Sequence, residues 1–252
     1  MIGAFGWGLL AASSLVVGAL VALAFRIPVR VVGLIMGFGS GVLISAVAFD
    51  LVEEAVGDAS ADITVPIGMA VGCAVFSVGD WLIARNGGGR RKSPKRPVAA
   101  LDRDRDGTED SPLSIVLGTV LDGIPESIVI GLTLLAGEGV GVAYLVAVFV
   151  SNLPESISST AGLVESGWRR SRILWLWVAV AVVSGAASAA GYGIFDGASG
   201  NTNAAILAFA GGAILTMLAD TMMPEAFEHG GRLTGVLTTA GFVVAFTLHQ
   251  LA

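Results

Sequence analysis

The sequence predicts an all-α integral membrane protein, with eight transmembrane helices in a three-plus-two-plus-three inverted-repeat arrangement. Three observations predict it. Of the 252 residues, 54% are hydrophobic and 13% charged, where a soluble domain carries roughly 25% charged residues. Eight stretches with few charges, each near the ~20 residues that a bilayer crossing needs, take up most of the chain. Two pairs of segments are repeated, each pair across spans of opposite direction. No length is left for a separate globular domain, so residues 1–252 read as one transporter-like transmembrane domain containing a flexible loop at 85–111.

The spans fall at about 3–25, 31–54, 63–84, 112–136, 140–163, 172–195, 203–225 and 232–251. The first, Met1 to Phe25, lacks a basic leader, and its apolar run exceeds the ~7–15 residues of a signal-peptide core, so it is expected to stay as a helix. The second is rich in glycine and ends on Asp50, Glu53 and Glu54. The third carries Cys73; as the single cysteine it can make no intrachain disulfide and no cysteine metal cluster, and it reads as a small apolar residue. Helices are the only reasonable choice, because runs such as Ile173 to Phe195 lack the polar–apolar alternation of a membrane strand.

Between the third and fourth spans, glycine, proline and mixed charges mark a linker. Within it, Asp102 to Gly107 imitates the opening of a calcium loop. Its twelfth position is Leu113 instead of a bidentate Glu, and the intervening arginines oppose a cation, so a solvated linker is the better reading. At the start of the sixth span, Trp168, Trp175 and Trp177 with Arg169, Arg170 and Arg172 read as an interface anchor.

All 14 Lys and Arg residues lie at the first, third, fifth and seventh connections, whereas the even ones carry only acids such as Asp58, Asp62, Glu138 and Asp196. The positive-inside rule therefore predicts a multi-pass protein of the cell membrane with both termini outside.

The repeats relate the two ends of the chain. The segment Gly41 to Ala55 of span 2 aligns without gaps to Gly212 to Ala226 of span 7, matching Glu54 to Glu225. The motif Asp122-Gly-Ile-Pro-Glu-Ser127 of span 4 is answered by Ser151-Asn-Leu-Pro-Glu-Ser156 of span 5. Spans 2 and 7 run in opposite directions, as do 4 and 5, the inverted topology typical of secondary transporters.

The chemistry concentrates in the central pair. Asp122 and Glu126 share a helical face near the middle of span 4, and Glu155 is similarly central in span 5. An acid at a helix centre costs about 2.5–3.5 kcal/mol on insertion scales, so these side chains are expected to line an interior site. A divalent cation offsets their mutual repulsion there, and an empty cluster takes up protons instead. Pro125 and Pro154 each remove a backbone N–H and free the carbonyls of Leu121 and Val150 beside the carboxylates. Ser151 and Asn152 supply further neutral oxygens. Asp50 and Glu54 near the outer end of span 2, with Asp220 and Glu225 in the inner part of span 7, read as acids of a cation's access paths. His229 lies in a short turn with Glu228 and His249 near the outer end of span 8, both away from the central motif.

On these residues the chain resembles a divergent member of the ZIP (Zrt/Irt-like) metal transporter family, along nearly its whole length. The family's helix 4 pattern, His-Asn-x-Pro-Glu-Gly, stands here as Asp122 to Ser127, and its helix 5 pattern as Ser151 to Glu155. Both Pro-Glu pairs are present and the histidine ligands are not. The resemblance implies a site for a divalent metal formed by Asp122, Glu126, Ser151, Asn152 and Glu155. It also implies uptake toward the cytoplasm without a prosthetic group, and a homodimer in the bilayer. An all-oxygen set suits hard ions such as manganese or magnesium, where imidazole suits zinc and iron. Gly123 stands in place of the Asn that helps to form a second metal position in some relatives, so one central position is expected. No catalytic residue and no nucleic-acid partner are expected. Two other readings stay open: an intramembrane metal-dependent enzyme, although no His-Glu-x-x-His motif is present, and a transporter-like protein that moves protons or another solute.

Overall fold

In the computed structural model, residues 1–25, 27–60, 63–85, 112–134 and 142–251 are described; at 83–84, 112–118, 121–122 and 142–143 the description is of the backbone alone. The linker reading at 85–111, with its calcium-like stretch, lies almost wholly outside these residues. Among the described residues there are eight long helical rods and no strand. They are α1 (Ile2–Ala24), α2 (Val29–Asp58), α3 (Thr64–Arg85), α4 (Pro112–Thr133), α5 (Val142–Glu165), α6 (Arg170–Phe195), α7 (Gly200–Gly230) and α8 (Leu233–Leu251).

Six of the rods, α1, α2, α3, α6, α7 and α8, are long and apolar enough to cross a membrane, which fits a multi-pass membrane protein. The sequence led to the expectation of eight. In α4 and α5 the residues at 112–118, 121–122 and 142–143 are described as backbone alone, and the apolar segment described in α4 is Gly123–Thr133. Outward faces elsewhere are apolar: Ile67, Val71, Val75, Val78, Trp81 and Leu82 along α3 are all about half exposed. So large an uncovered apolar surface belongs in lipid.

With lipid tails as apolar as leucine, helix association relies on close backbone approach at small residues. Two crossings illustrate it. Where α2 meets α8, a Cβ on Gly41 would collide with the Thr238 carbonyl and one on Gly241 with that of Phe38; where α3 meets α7, Gly212 faces the Met69 carbonyl and Gly72 that of Phe209. Both pairs of rods run parallel, since Thr238 Oγ1 donates to the Gly37 carbonyl and His249 pairs with Asp50 further along the same two helices. In contrast, α2 and α7 are antiparallel along their full length. Gly33 abuts His229 and Gly230, Gly39 abuts Met222, Gly211 faces Val47 and Val52, and Gly200 lies against Asp58.

The neighbours divide the rods into two groups. Helices α1, α4, α5 and α6 are joined by the α1–α6, α1–α5 and α4–α6 interfaces; α2, α3, α7 and α8 are joined by α3–α7, α2–α8 and α2–α7. The first group has an apolar cluster of its own, with Ala12, Leu15 and Ala19 of α1, Leu163 of α5 and Ile173, Trp177 and Val180 of α6. Trp177 is thus a core residue, 1% exposed, with its indole N–H donating to Thr160 Oγ1 at 2.8 Å. Of the expected interface anchor, Trp168 remains, under the Arg172 guanidinium at 3.8 Å, together with the exposed Trp175. Cys73 is exposed on the outside of α3 and does not pack in the interior.

Neither α2 nor α7 is a regular helix throughout. Each contains a π turn, Val47–Val52 in α2 and Leu218–Met222 in α7. In α7 the wider turn ends just before Pro224, whose ring would clash with the Asp220 carbonyl in a regular helix. In α2 no proline lies near, and the turn coincides with the Asp50–His249 contact.

Candidate metal centre

The in-helix prolines Pro125 and Pro154 lie within α4 and α5 without ending either helix. The glutamates that follow them are both interior, Glu126 at 2% and Glu155 at 8% exposure. Ser151 and Asn152 are buried at 3% and 6%. In α5, Ser151 and Glu155 are one turn apart, with Asn152 beside them, so the three occupy one side of the helix.

That side packs on α2, where a Cβ on Gly39 would stand 3.2 Å from the Ser151 Cα, and it also meets α4. Tyr144, three turns before Glu155 and 1% exposed, reaches the Glu126 carbonyl with its hydroxyl at 3.5 Å. In α4, the opposite face is taken by α6: a Cβ on Gly131 would meet the Ser188 carbonyl, and one on Gly191 that of Ile128. Ile128 lies about 200° around the helix from Glu126, so the carboxylate is directed away from α6. Asp122 is one turn before Glu126 in the backbone register, but its side chain lies outside the described residues. The structure therefore buries Glu126, Glu155, Ser151 and Asn152 on two neighbouring helices, and Asp122 belongs with Glu126 by register alone. Among the described residues no group of three or more His, Cys, Asp and Glu side chains forms a cluster that could hold a metal ion. Two carboxylates and neutral oxygens are the donors present, a set for a hard cation.

Further buried hydroxyls share the two helices with the glutamates. Thr119 and Thr133 in α4, and Ser158 and Ser159 in α5, are all buried. Their signal was present as helical spacing: Thr119 and Thr133 lie two turns either side of Glu126, and Ser158 and Ser159 one turn past Glu155. The Ser151 hydroxyl donates to the Val148 carbonyl at 3.0 Å, which leaves its lone pairs directed elsewhere.

The four access-path acids lie on α2 and α7. Asp50 lies in the π turn of α2 and accepts from His249 Nδ1 at 2.8 Å; Glu54 follows one turn later and is half-buried. Asp220 lies exposed in the π turn of α7, with Glu225 half-buried beyond it. Because α2 and α7 are antiparallel, the two sets occupy opposite ends of the pair. His229 bonds through Nδ1 to the Glu225 carbonyl at 2.8 Å, tying its ring to its own helix. The His249–Asp50 bond was not legible in the sequence: the residues are 199 positions apart and no local pattern links them.

No protein-family profile matches the chain, and no curated protein matches it.

Proposed function

We propose that the chain is a divalent-cation transporter that carries its substrate inward across the cell membrane through a carboxylate-lined site between α4 and α5. The observation that carries this reading is the pair Glu126 and Glu155. Both carboxylates are interior to a body of apolar helices, each directly after an in-helix proline, and each accompanied by buried neutral oxygens. Carboxylates placed this deeply among apolar helices are natural ligands for a cation or protons. Zinc, manganese, iron or magnesium is the substrate, with a preference for the harder ions, and no prosthetic group is needed.

The internal symmetry supports an alternating mechanism. Adding 171 to Phe38 and Gly41 gives Phe209 and Gly212, and subtracting 169 from Thr238 and Gly241 gives Met69 and Gly72, so the two glycine crossings are counterparts contact by contact. Each π turn begins six residues after the first glycine of its repeat, Gly41 or Gly212. This is what an inverted repeat predicts, with α1–α3 answered by α6–α8 and α4 by α5. The helix neighbours favour movement of the α1, α4, α5, α6 group against the α2, α3, α7, α8 group. This differs from movement of the two outer repeats against the α4–α5 pair, because α1 and α6 hold α5 and α4 more closely than α2 and α7 do.

The test is uptake by purified protein in liposomes, with Mn²⁺, Zn²⁺, Fe²⁺ and Mg²⁺ offered separately. Saturable uptake of at least one ion, together with ion-dependent thermal stabilisation that Glu126→Gln or Glu155→Gln removes, is the expected result. Stabilisation without uptake favours an intramembrane metal-dependent enzyme; proton flux without metal dependence favours a proton carrier. Either outcome overturns the proposal.

A further inference from the structure

The bond between His249 and Asp50 joins α8 to the π turn of α2, and its setting is unusually well defined. The imidazole Nδ1 lies 2.8 Å from Asp50 Oδ1, with side-chain exposures of 30% and 11%. Phe49 lies tilted beside the imidazole with ring centroids 5.6 Å apart, and the Phe246 ring lies 5.0 Å from that of Phe49, so one side of the pair is walled by aromatic rings. A carboxylate only accepts hydrogen bonds, so Nδ1 carries the hydrogen and Oδ1 is the acceptor. With one oxygen held, the other oxygen of Asp50 has a fixed direction instead of a free rotor.

The pseudo-symmetry tests whether this histidine is needed for the helices to pack. The residue shifts that superpose the α2–α8 crossing on the α3–α7 crossing place Asp80 where His249 stands, and Asp220 and Thr221 where Phe49 and Asp50 stand. The same crossing, with the same reciprocal glycine contacts, therefore forms without a histidine and without the aromatic wall. His249 is a feature of one mouth alone, not of the crossing.

We infer that His249 is a positioning residue for cation capture: it holds Asp50 at the mouth on its own side so that the second carboxylate oxygen faces an arriving ion. The inference rests on the transport reading above. It goes beyond that reading in assigning a role to a residue of α8 that is not part of the central motif and acts through Asp50.

The experiment measures Mn²⁺ uptake in liposomes by the parent protein, His249→Leu, His249→Gln, Asp50→Asn and the double variant Asp50→Asn, His249→Leu. His249→Leu should raise KM about five-fold, the size expected for one lost hydrogen bond, with a proportionally smaller change in maximal rate. His249→Gln, which keeps a donor, should recover part of the loss, and the double variant should be no worse than Asp50→Asn alone. In parallel, ¹⁵N NMR of the parent protein in nanodiscs should show a protonated Nδ1 at His249 whose signal shifts in Asp50→Asn. That readout needs no transport, and it holds even if His249→Leu folds poorly. An unchanged KM in His249→Leu, additive effects in the double variant, or an unprotonated Nδ1 overturns the inference and leaves the transporter reading standing. Absence of uptake by the parent protein overturns both.

Discussion

Glu126 and Glu155 are the residues on which the proposed chemistry depends, two buried carboxylates that each directly follow an in-helix proline. Replacing either by Gln preserves shape and hydrogen bonding but removes one charge from the site. A lost charge-assisted interaction with a cation costs about 1.5–3 kcal/mol, so each single variant should bind Mn²⁺ roughly ten- to a hundred-fold more weakly in equilibrium dialysis. The double variant should show no saturable uptake; full uptake by it would place the cation's path elsewhere. Asp122 lends itself to a test of selectivity. If it is a ligand, Asp122→His adds a borderline-soft nitrogen to an oxygen set, and the Zn²⁺ to Mn²⁺ affinity ratio should rise at least several-fold. An unchanged ratio would remove Asp122 from the ligand set. These residues could be read from sequence because the motif is local: proline, glutamate and small polar residues fall within six positions in each helix. Trp177 was misread for the opposite reason. Its neighbours in sequence are arginines and tryptophans of an interface, while the partner that decides its place, Thr160, lies on another helix.

Among the elements, α2 and α7 hold the most information that composition could not supply. Their spans were visible as apolar runs, but they continue past the predicted 31–54 and 203–225 to Asp58 and Gly230, because the acid-bearing ends remain helical. The π turn of α2 was not legible, since nothing in its sequence breaks a regular helix there. The glycine crossings were legible only as clusters of small residues, without their partners. Their energetic role is testable through symmetry. A leucine at Gly41 or Gly212 must displace a carbonyl of the neighbouring helix. Such overpacking typically costs 1–3 kcal/mol, so Gly41→Leu and Gly212→Leu should both lower the thermal unfolding midpoint in detergent, and by similar amounts. Gly235, within α8, has nothing within 4 Å of where a Cβ would stand. Gly235→Leu should therefore be neutral or slightly stabilising, as glycine is a poor helix former. A large loss at Gly41 with none at Gly212 would mean that the two crossings are not equivalent.

At the scale of the whole molecule, the arrangement in the membrane turns on whether α4 and α5 cross it. Among the described residues six helices satisfy length and apolarity; the two that carry the candidate centre are described in part as backbone alone. Length alone permits both to cross: 22 and 24 residues of helix extend about 33 and 36 Å, against a hydrocarbon core of about 30 Å. Their described polar residues are buried, with Ser151 against Gly39 of α2 and Ser156 against Gly18 of α1, so little polar surface has to meet lipid. Placement of every Lys and Arg at odd connections requires eight crossings to keep its consistency through the second half of the chain. Three cysteine substitutions in a Cys73→Ala background decide the matter: Ser93→Cys in the 85–111 loop, Glu138→Cys between α4 and α5, and Ser199→Cys before α7. Ser199 caps α7 by accepting from the Thr202 N–H, and losing that cap costs about 1 kcal/mol, which the remaining contacts of the helix should tolerate. A membrane-impermeant maleimide applied to intact cells should label positions 138 and 199 and reach 93 only after permeabilisation. Labelling of 199 but not 138 would show that α4 and α5 enter and leave on one side, leaving six crossings. Labelling of 93 alone would invert the whole molecule and with it the direction of transport.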